Sequence, residues 1–265
     1  MQGPDSPPAR AVAPQWADLR VRALSALVLL PVGIGSLWAG GWWWTGLVGL
    51  AAIGLAAEWA ALCGGRADSL GVFTLLAVGL AAAGQAGAAL VLLAAATITL
   101  WWRDRRLWPA LGVPYVGLAS VALVWLRADP ASGRRDVLVL LLVVWATDIA
   151  AYVAGRLIGG PKLAPSISPG KTWSGAAGGL LGALLVGWIA APGAAGPALA
   201  ALLSVVAQAG DLMESGIKRR FGVKDSGRLI PGHGGLLDRL DGVLTAAPLA
   251  ALLAFAAGRG VGLWQ

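Results

Sequence analysis

Charged side chains are concentrated in one segment, residues 210–242, of a chain that is otherwise strongly apolar. The segment reads GDLMESGIKRRFGVKDSGRLIPGHGGLLDRLDG and includes His233, the single histidine of the sequence. Carboxylates are the protein ligands that magnesium prefers, lysine and arginine bind phosphate, and glycines let backbone amides approach a ligand. This combination of residue types indicates a site for a nucleotide.

The first polar residues of the segment have the spacing of one helical face. If the apolar run before them continues as a helix through residue 218, positions i, i+3, i+4 and i+7 lie above one another. Two acids, a hydroxyl and a cation then form one stripe. The four residues are Asp211, Glu214, Ser215 and Lys218.

Two further acids, Asp238 and Asp241, are spaced as i and i+3 near the start of the last apolar run. One interpretation is that they cap that helix and pair with arginines, because a helix amino terminus favours negative groups. The other is that they bind metal, because acids at membrane depth are costly and usually functional. Magnesium completes its shell with phosphate oxygens, so Asp211 and Asp238 are the first choice of ligands. With Asp241 beside them, the carboxylates are also compatible with a second cation.

Glycines and cations between these acids are candidate phosphate ligands. Gly234 and Gly235 expose backbone amides and permit the backbone angles that a phosphate cradle needs. His233 is open to three interpretations, as a general acid, a phosphate donor or a structural hydrogen-bonding group in a turn. Lys218 and Lys224 each lie near a carboxylate in sequence. They are better phosphate candidates than the neighbouring arginines, which fit the charge bias of a membrane loop.

The elements that must position these residues are membrane-spanning helices. With 58% hydrophobic residues, 12% charged residues and a mean hydropathy of +0.75, the chain is too apolar for an ordinary soluble domain. Crossing about 30 Å of hydrocarbon takes roughly 20 helical residues, which predicts an all-α, polytopic membrane protein of about nine helices. One long helix over residues 69–102 is the alternative to two. The predicted spans are 21–39, 42–62, 69–83, 86–102, 108–126, 137–155, 175–191, 195–214 and 236–257.

The distribution of lysine and arginine predicts the orientation, since short cytoplasmic loops collect basic residues. With the amino terminus inside, only Arg127, Arg134, Arg135 and Arg259 fall on outside loops. Residues 210–242 then face the cytoplasm, and the expected location is the inner cell membrane. The predicted organisation is a disordered cytoplasmic tail (1–19), amino-terminal transmembrane helices (20–130) and a carboxy-terminal catalytic region (131–265).

Several classes of function are disfavoured. The pI near 10.5 would suggest nucleic acid in a soluble protein, but these basic residues lie on membrane loops and meet anionic lipid first, so no nucleic-acid partner is expected. Cys63, the single cysteine, excludes an internal disulfide, and one histidine leaves no plausible zinc set. An ion-coupled transporter is the alternative from another class, because acids within spans often mark ion pathways. Against it, the charge lies at one face of the membrane, and broken helices in paired repeats are missing.

The residues from 215 to 241 also match a family signature in type and spacing. The matching residues are Ser215, Ile217, Lys218, Arg219, Lys224, Asp225, Gly227, Ile230, Pro231, His233, Gly234, Gly235, Leu236, Asp238, Arg239, Leu240 and Asp241. Together they resemble the phosphatidate cytidylyltransferases, also called CDP-diacylglycerol synthases, which convert CTP and phosphatidate to CDP-diacylglycerol and pyrophosphate. The resemblance implies a multi-span membrane fold, a homodimer and a divalent metal, with Asp211 and Asp238 matching the acids taken as its ligands. A cytidylyltransferase for another lipid phosphate, such as an ether lipid, is the alternative within the same chemistry.

A second group of matching residues precedes the seventh predicted span. It comprises Asp148, Tyr152, Gly155, Arg156, Ser166, Ser168, Pro169, Gly170, Lys171, Thr172 and Gly175. The group resembles the loop before that helix in the same family, with Ser168 and Lys171 as phosphate candidates. Asp148 lies inside an apolar span, where it either packs against Tyr152 or lines a polar cavity, and we favour the cavity.

Spacing and resemblance together give an expected role to each candidate residue. The expected cofactor is Mg²⁺, and the expected partners are CTP, phosphatidate, membrane lipid and a second copy of the chain. No motif assigns a role to the half of the chain before residue 130. The expected catalytic residues are Asp211, Asp238, Lys218 and His233, and the expected metal ligands are Asp211, Asp238 and Asp241. The expected substrate-binding residues are Ser168, Lys171, Ser215, Arg219, Lys224, Gly234, Gly235 and Arg239.

Overall fold

The chain folds as a bundle of helices with one short β-hairpin. The structure, a computed structural model, describes residues 15–230, 234–258 and 262–264. An antiparallel hairpin, β1 (Lys162–Ala164) with β2 (Ser168–Thr172), lies between the sixth and seventh helices of the described residues. The helices are α1 (Gln15–Ala39), α2 (Gly41–Cys63), α3 (Ala67–Ala82), α4 (Ala86–Asp104), α5 (Leu107–Arg127), α6 (Gly133–Leu157), α7 (Trp173–Ala190), α8 (Ala195–Arg220) and α9 (Leu237–Ala257).

The helices match the predicted membrane spans. Seven helices in the described residues, α2 and α4 to α9, are long and apolar enough to cross a membrane. Leu27–Ala39, within α1, and the whole of α3 are shorter apolar helices. The apolar run at residues 69–102 forms two helices, because Gly84 adopts a φ of 78° and turns the chain between α3 and α4. The prediction of a polytopic, all-α membrane protein is confirmed.

Two helix boundaries, the start of α1 and the end of α8, differ most from the predicted spans. α8 continues to Arg220 instead of ending near residue 214, so the polar stripe from residue 211 to 218 is helical, as its spacing predicts. The last turn of α8 is basic, which suits the negative end of a helix dipole. α1 begins at Gln15, so residues 15–19 are helical and their assignment to a disordered tail is wrong. Residues 1–14 lie outside the described residues.

Small residues bring α6 and α7 into close contact. A Cβ atom at Gly179 would lie 2.9 Å from the carbonyl oxygen of Thr147, and one at Gly182 would lie 2.9 Å from that of Ala146. Close backbone approach lets membrane helices gain van der Waals contact where surrounding lipid provides no hydrophobic driving force. The contact fixes α6 against α7 and therefore also fixes the hairpin that joins them.

Different side-chain contacts are found at the two ends of the bundle. At one end, the side chain of Arg127, the last residue of α5, donates from Nε to the carbonyl oxygen of Leu37 at 2.7 Å. At the other end, Arg219 of α8 donates from Nε to the carbonyl oxygen of Ile167 in the hairpin at 3.2 Å. α9 packs against both α5 and α8. The charged segment after α8 therefore meets the amino-terminal helices at the end that holds the hairpin.

Candidate active site

A polar cavity of about 620 Å³ lies where α6, α8 and α9 meet the hairpin. Charged groups inside an apolar bundle are costly, so their collection in one cavity marks a functional site. Residues from both matching sequence patches take part, and Asp148 lines the cavity, as we favoured. The acids of the lining are Asp148, Asp211, Asp238 and Asp241, and its bases are Arg156, Lys171, Lys218 and Arg239.

Asp211 of α8 is paired with Lys171 of β2. The Ser215 hydroxyl, one turn along α8, points to the same carboxylate, with Oγ 3.5 Å from Oδ1. The side chains of Lys171 and Asp211 are 26% and 32% exposed, so solvent screens the pair and a phosphate can compete for the lysine. Asp148 and Asp241 also interact electrostatically with Asp211. This side of the cavity therefore holds more negative charge than Lys171 alone neutralises.

Lys218 of α8 contacts two carboxylates, Glu214 in the same helix and Asp238 in α9. Its Nζ atom lies 2.6 Å from Asp238 Oδ1 and 3.2 Å from Glu214 Oε1. The Glu214 side chain is fully buried, and those of Lys218 and Asp238 are only 11% exposed. Removing one partner from a buried ion pair typically costs about 3–5 kcal/mol, because it leaves the other charge uncompensated. This cluster holds the first turn of α9 against α8.

Asp238 is also bound by the loop that precedes α9. Its Oδ2 atom accepts hydrogen bonds from the backbone N–H groups of Ser226 and Gly235, each at 3.0 Å. Asp238 therefore binds the loop before α9 and Lys218, and its side chain also lines the cavity. The structure gives the Gly235 amide a carboxylate partner in place of the phosphate that the sequence predicts, because the glycine loop folds back onto the helix it precedes.

The other predicted residues are divided between the cavity and its surroundings. Arg239 lines the cavity, whereas Lys224 is exposed outside it. Arg219 donates to the carbonyl oxygens of Ile167 and Val223, at 3.2 and 3.3 Å, and so ties the hairpin to the loop after α8. His233 lies outside the described residues. The predicted substrate-binding residues that do not line the cavity are Ser168, Ser215, Arg219, Lys224, Gly234 and Gly235.

Three aspartates of the cavity are the residues that could hold a magnesium ion. Asp211 comes from α8, Asp238 and Asp241 come from α9, and all three line one cavity. Magnesium commonly uses one or two protein carboxylates and completes its shell with phosphate oxygens and water. Among the residues that the structure describes, no three acidic, histidine or cysteine side chains form a ready-made ligand set.

Glu58 of α2 is a candidate for a role at the site that no sequence motif indicated. It is buried, and it accepts hydrogen bonds from the backbone N–H groups of Leu236 at 2.9 Å and Leu237 at 2.8 Å. A single acid within an apolar span is itself a signal, because such a group is costly unless it is used. Its partners were not predictable, because backbone amides carry no sequence signature.

Tyr115 of α5 also reaches this region from the amino-terminal half. Its hydroxyl oxygen and Glu214 Oε2 are buried atoms for which the described residues provide no hydrogen-bond partner. The two side chains interact electrostatically, and Tyr115 packs against Trp59 with ring centroids 5.1 Å apart. α5 therefore forms the wall behind Glu214.

Comparison with known proteins gives consistent matches over most of the chain. A family model described as the cytidylyltransferase family matches residues 20–256. A phosphatidate cytidylyltransferase of Brucella suis is 46% identical over 250 residues, which cover 88% of this chain and 92% of that protein. The protein of the same name from Pseudomonas aeruginosa is 38% identical over 281 residues, covering 91% and 99% of the two chains. One from Staphylococcus haemolyticus is 42% identical over 156 residues, covering 54% and 56%.

Proposed function

The chain belongs to the cytidylyltransferase family, and from this membership we propose that its polar cavity transfers a cytidylyl group from CTP to phosphatidate, giving CDP-diacylglycerol and pyrophosphate. The observation that carries the proposal is the position of the cavity, where Lys171, Lys218 and Arg239 stand beside aspartates at one end of a membrane bundle. A site at a helix end is within reach of both a water-soluble nucleotide and a lipid headgroup.

The proposed reaction is an in-line displacement at phosphorus. An oxygen of the phosphatidate phosphate attacks the α-phosphorus of CTP and forms a new P–O bond. The bond from that phosphorus to the bridging oxygen of pyrophosphate breaks, and pyrophosphate leaves with the electron pair. The attacking phosphate is already an anion near neutral pH, so the protein must mainly supply positioning and charge neutralisation.

The cavity residues divide this work by their accessibility. Lys171 is partly exposed and pairs with Asp211, which is itself partly exposed, so it is available to bind a phosphate of CTP. Lys218 is buried between two acids and holds α9 in place while it lines the cavity. Magnesium bound by Asp211 and Asp238, with Asp241 beside them, would supply further neutralisation of the triphosphate. We assign His233 a helper role in binding phosphate.

The proposal extends to location and assembly. The chain is a multi-pass membrane protein. We propose that it lies in the inner cell membrane with the cavity on the cytoplasmic side, because the predicted cytoplasmic loops hold most of the basic residues. A homodimer is proposed from the family resemblance.

Transfer of label from CTP to lipid tests the function. The purified protein in detergent is given CTP labelled in its cytidine and phosphatidate, and chloroform-extractable label is counted with and without Mg²⁺. We expect phosphatidate-dependent and Mg²⁺-dependent incorporation. Label that stays in the aqueous phase under all conditions would overturn the proposed function. An ether-linked analogue assayed beside phosphatidate separates the two lipid substrates.

A further inference from the structure

The carboxylate of Glu58 accepts three hydrogen bonds from the segment that leads into α9. Oε1 accepts from the N–H of Leu236 at 2.9 Å, and Oε2 accepts from the N–H of Leu237 at 2.8 Å and from the hydroxyl of Ser226 at 3.4 Å. These donors are between 168 and 179 positions from Glu58 in sequence. Glu58 is only 6% exposed, so water competes little for these bonds.

The bonds to Glu58 replace a local helix cap. The first N–H groups of a helix have no partner within it, and Leu236, at the N-cap position of α9, has no side-chain oxygen to accept them. Glu58 supplies both acceptors from α2. An acidic side chain also suits the positive end of the helix dipole. The position of the first turn of α9 therefore depends on α2.

Ser226 connects Glu58 to Asp238. The Ser226 hydroxyl donates to Glu58, and its backbone N–H donates to Asp238 Oδ2 at 3.0 Å. Asp238 lies in the first turn of α9, which Glu58 caps, so Glu58 constrains it through both the loop and the helix. The other oxygen of Asp238 meets Lys218 Nζ at 2.6 Å.

Close packing of the loop leads to the same conclusion independently of the hydrogen bonds. A Cβ atom at Gly227 would lie 2.7 Å from Glu58 Cδ. One at Gly235 would lie 2.8 Å from the backbone nitrogen of Gly227 and 2.9 Å from Asp238 Oδ2. Side chains do not approach other atoms this closely, so the loop fits between the two carboxylates only because both positions are glycine.

We propose that Glu58 is a positioning residue, which fixes the position of Asp238 relative to Lys218. It thereby sets the geometry in which the phosphate of phosphatidate and the α-phosphate of CTP react. Glu58 is not among the residues that line the cavity, so it acts through Asp238. The inference rests on the proposed function for its kinetic readout. A misplacement of about 1 Å at a reacting centre can lower the rate by about 10²-fold.

Glu58→Gln tests the proposal with a side chain of the same size. Its amide presents an NH₂ group, which cannot accept a hydrogen bond, to one of the backbone donors. We expect kcat to fall about tenfold or more, while the KM values for CTP and phosphatidate change less than about threefold. Trp44→Phe is the matched control. Trp44 is in the same helix and equally buried, and the substitution removes the hydrogen bond from Nε1 to the Leu123 carbonyl oxygen at 3.0 Å together with part of the indole ring. We expect its kcat to stay within about twofold of the wild type, although the lost bond lowers stability.

Hydrogen exchange separates positioning from a general loss of stability. The amides of Leu236 and Leu237 should exchange faster in Glu58→Gln than in Trp44→Phe. Equal losses of kcat in the two variants at equal thermal stability would overturn the proposal. If Glu58→Gln does not accumulate, Ser226→Ala provides the test instead. Unchanged kcat in that variant, together with unchanged exchange at residues 236 and 237, would also overturn the positioning role of Glu58. A wild-type protein without CTP-dependent activity would refute the proposed function, but the exchange comparison would still test the structural link.

Discussion

Acidic side chains contribute to the site in two different ways. In α6 to α9, four aspartates line one cavity with four bases, and the side chain of Asp211 is 32% exposed. In α2, Glu58 is buried and accepts hydrogen bonds from two backbone amides and a hydroxyl. An acid that meets a ligand has to stay accessible and be balanced by cations. An acid that supports the site can be withdrawn from water once fixed donors satisfy it.

This difference explains why only one half carries a recognisable signature. Contact with nucleotide and lipid phosphate requires particular side chains at particular spacings, and residues 215–241 have both. Support of a helix end requires an acceptor at the right depth and amides opposite it, and every residue except proline has an amide. Substitutions that affect one kind of acid and not the other test this difference.

The largest effect is expected from loss of an acid that lines the cavity. Asp211→Asn or Asp238→Asn should lower Mg²⁺-dependent turnover by about 10³-fold or more, because each removes charge from the place where the triphosphate must be held. Incorporation of labelled CTP into lipid measures the effect, and a membrane fraction blot checks that the variant is still inserted. Near-normal turnover in both variants would refute the metal role.

Asp68→Asn is the matched control for these two variants. Asp68 is an exposed acid of α3 that pairs with Arg66, with Arg66 Nη2 2.9 Å from Asp68 Oδ2, and it does not line the cavity. Its removal should change turnover by less than about twofold, since exposed ion pairs contribute little. A large loss of turnover there would mean that charge anywhere on this surface matters, and the comparison between accessible and buried acids would fail.

The two cavity lysines provide the second test, because they differ in burial. Lys218→Met leaves Glu214 and Asp238 without their cation and should lower the free energy of unfolding by about 3 kcal/mol or more. Lys171→Met removes a partly exposed pair and should change that free energy by less than about 1 kcal/mol. Both should lower kcat/KM by about 10²-fold. Thermal unfolding in detergent, measured beside the assay, separates the two, and equal destabilisation would contradict the difference in burial.

The sequence predicted the fold more completely than the site. The spans follow from the length of apolar runs, which the bilayer fixes, so predicted and observed helices agree closely except at the start of α1 and where polar residues continue α8 to Arg220. Helical spacing and the family signature predicted that Asp211, Asp238 and Lys218 belong to one site, and all three line one cavity. Neither could show that the Gly235 amide binds Asp238, because this depends on how the loop folds back in space.

A smaller effect is expected from filling the space between the acids. Gly235→Ala places a Cβ against the Gly227 nitrogen and Asp238, so the loop must shift, and we expect kcat to fall about tenfold. Gly79→Ala, in α3, is the control, because its Cβ meets nothing within 4 Å and the residue does not line the cavity, so its turnover should be unchanged. If Gly235→Ala is fully active, the position of Asp238 tolerates movement, which would also weaken the role of Glu58.

The smallest effect is expected at Lys224, which the sequence predicts to bind phosphate but which is exposed outside the cavity. Lys224→Ala should change kcat and the KM for CTP by less than about twofold, as should Lys162→Ala, an exposed lysine of the hairpin. A rise in the KM for CTP confined to Lys224→Ala would have one structural meaning. The loop after α8 would then have to move over the nucleotide when it binds. In that case the loop would itself contact the ligand, and Glu58, which holds this loop through Ser226, would limit that movement as well as fixing Asp238.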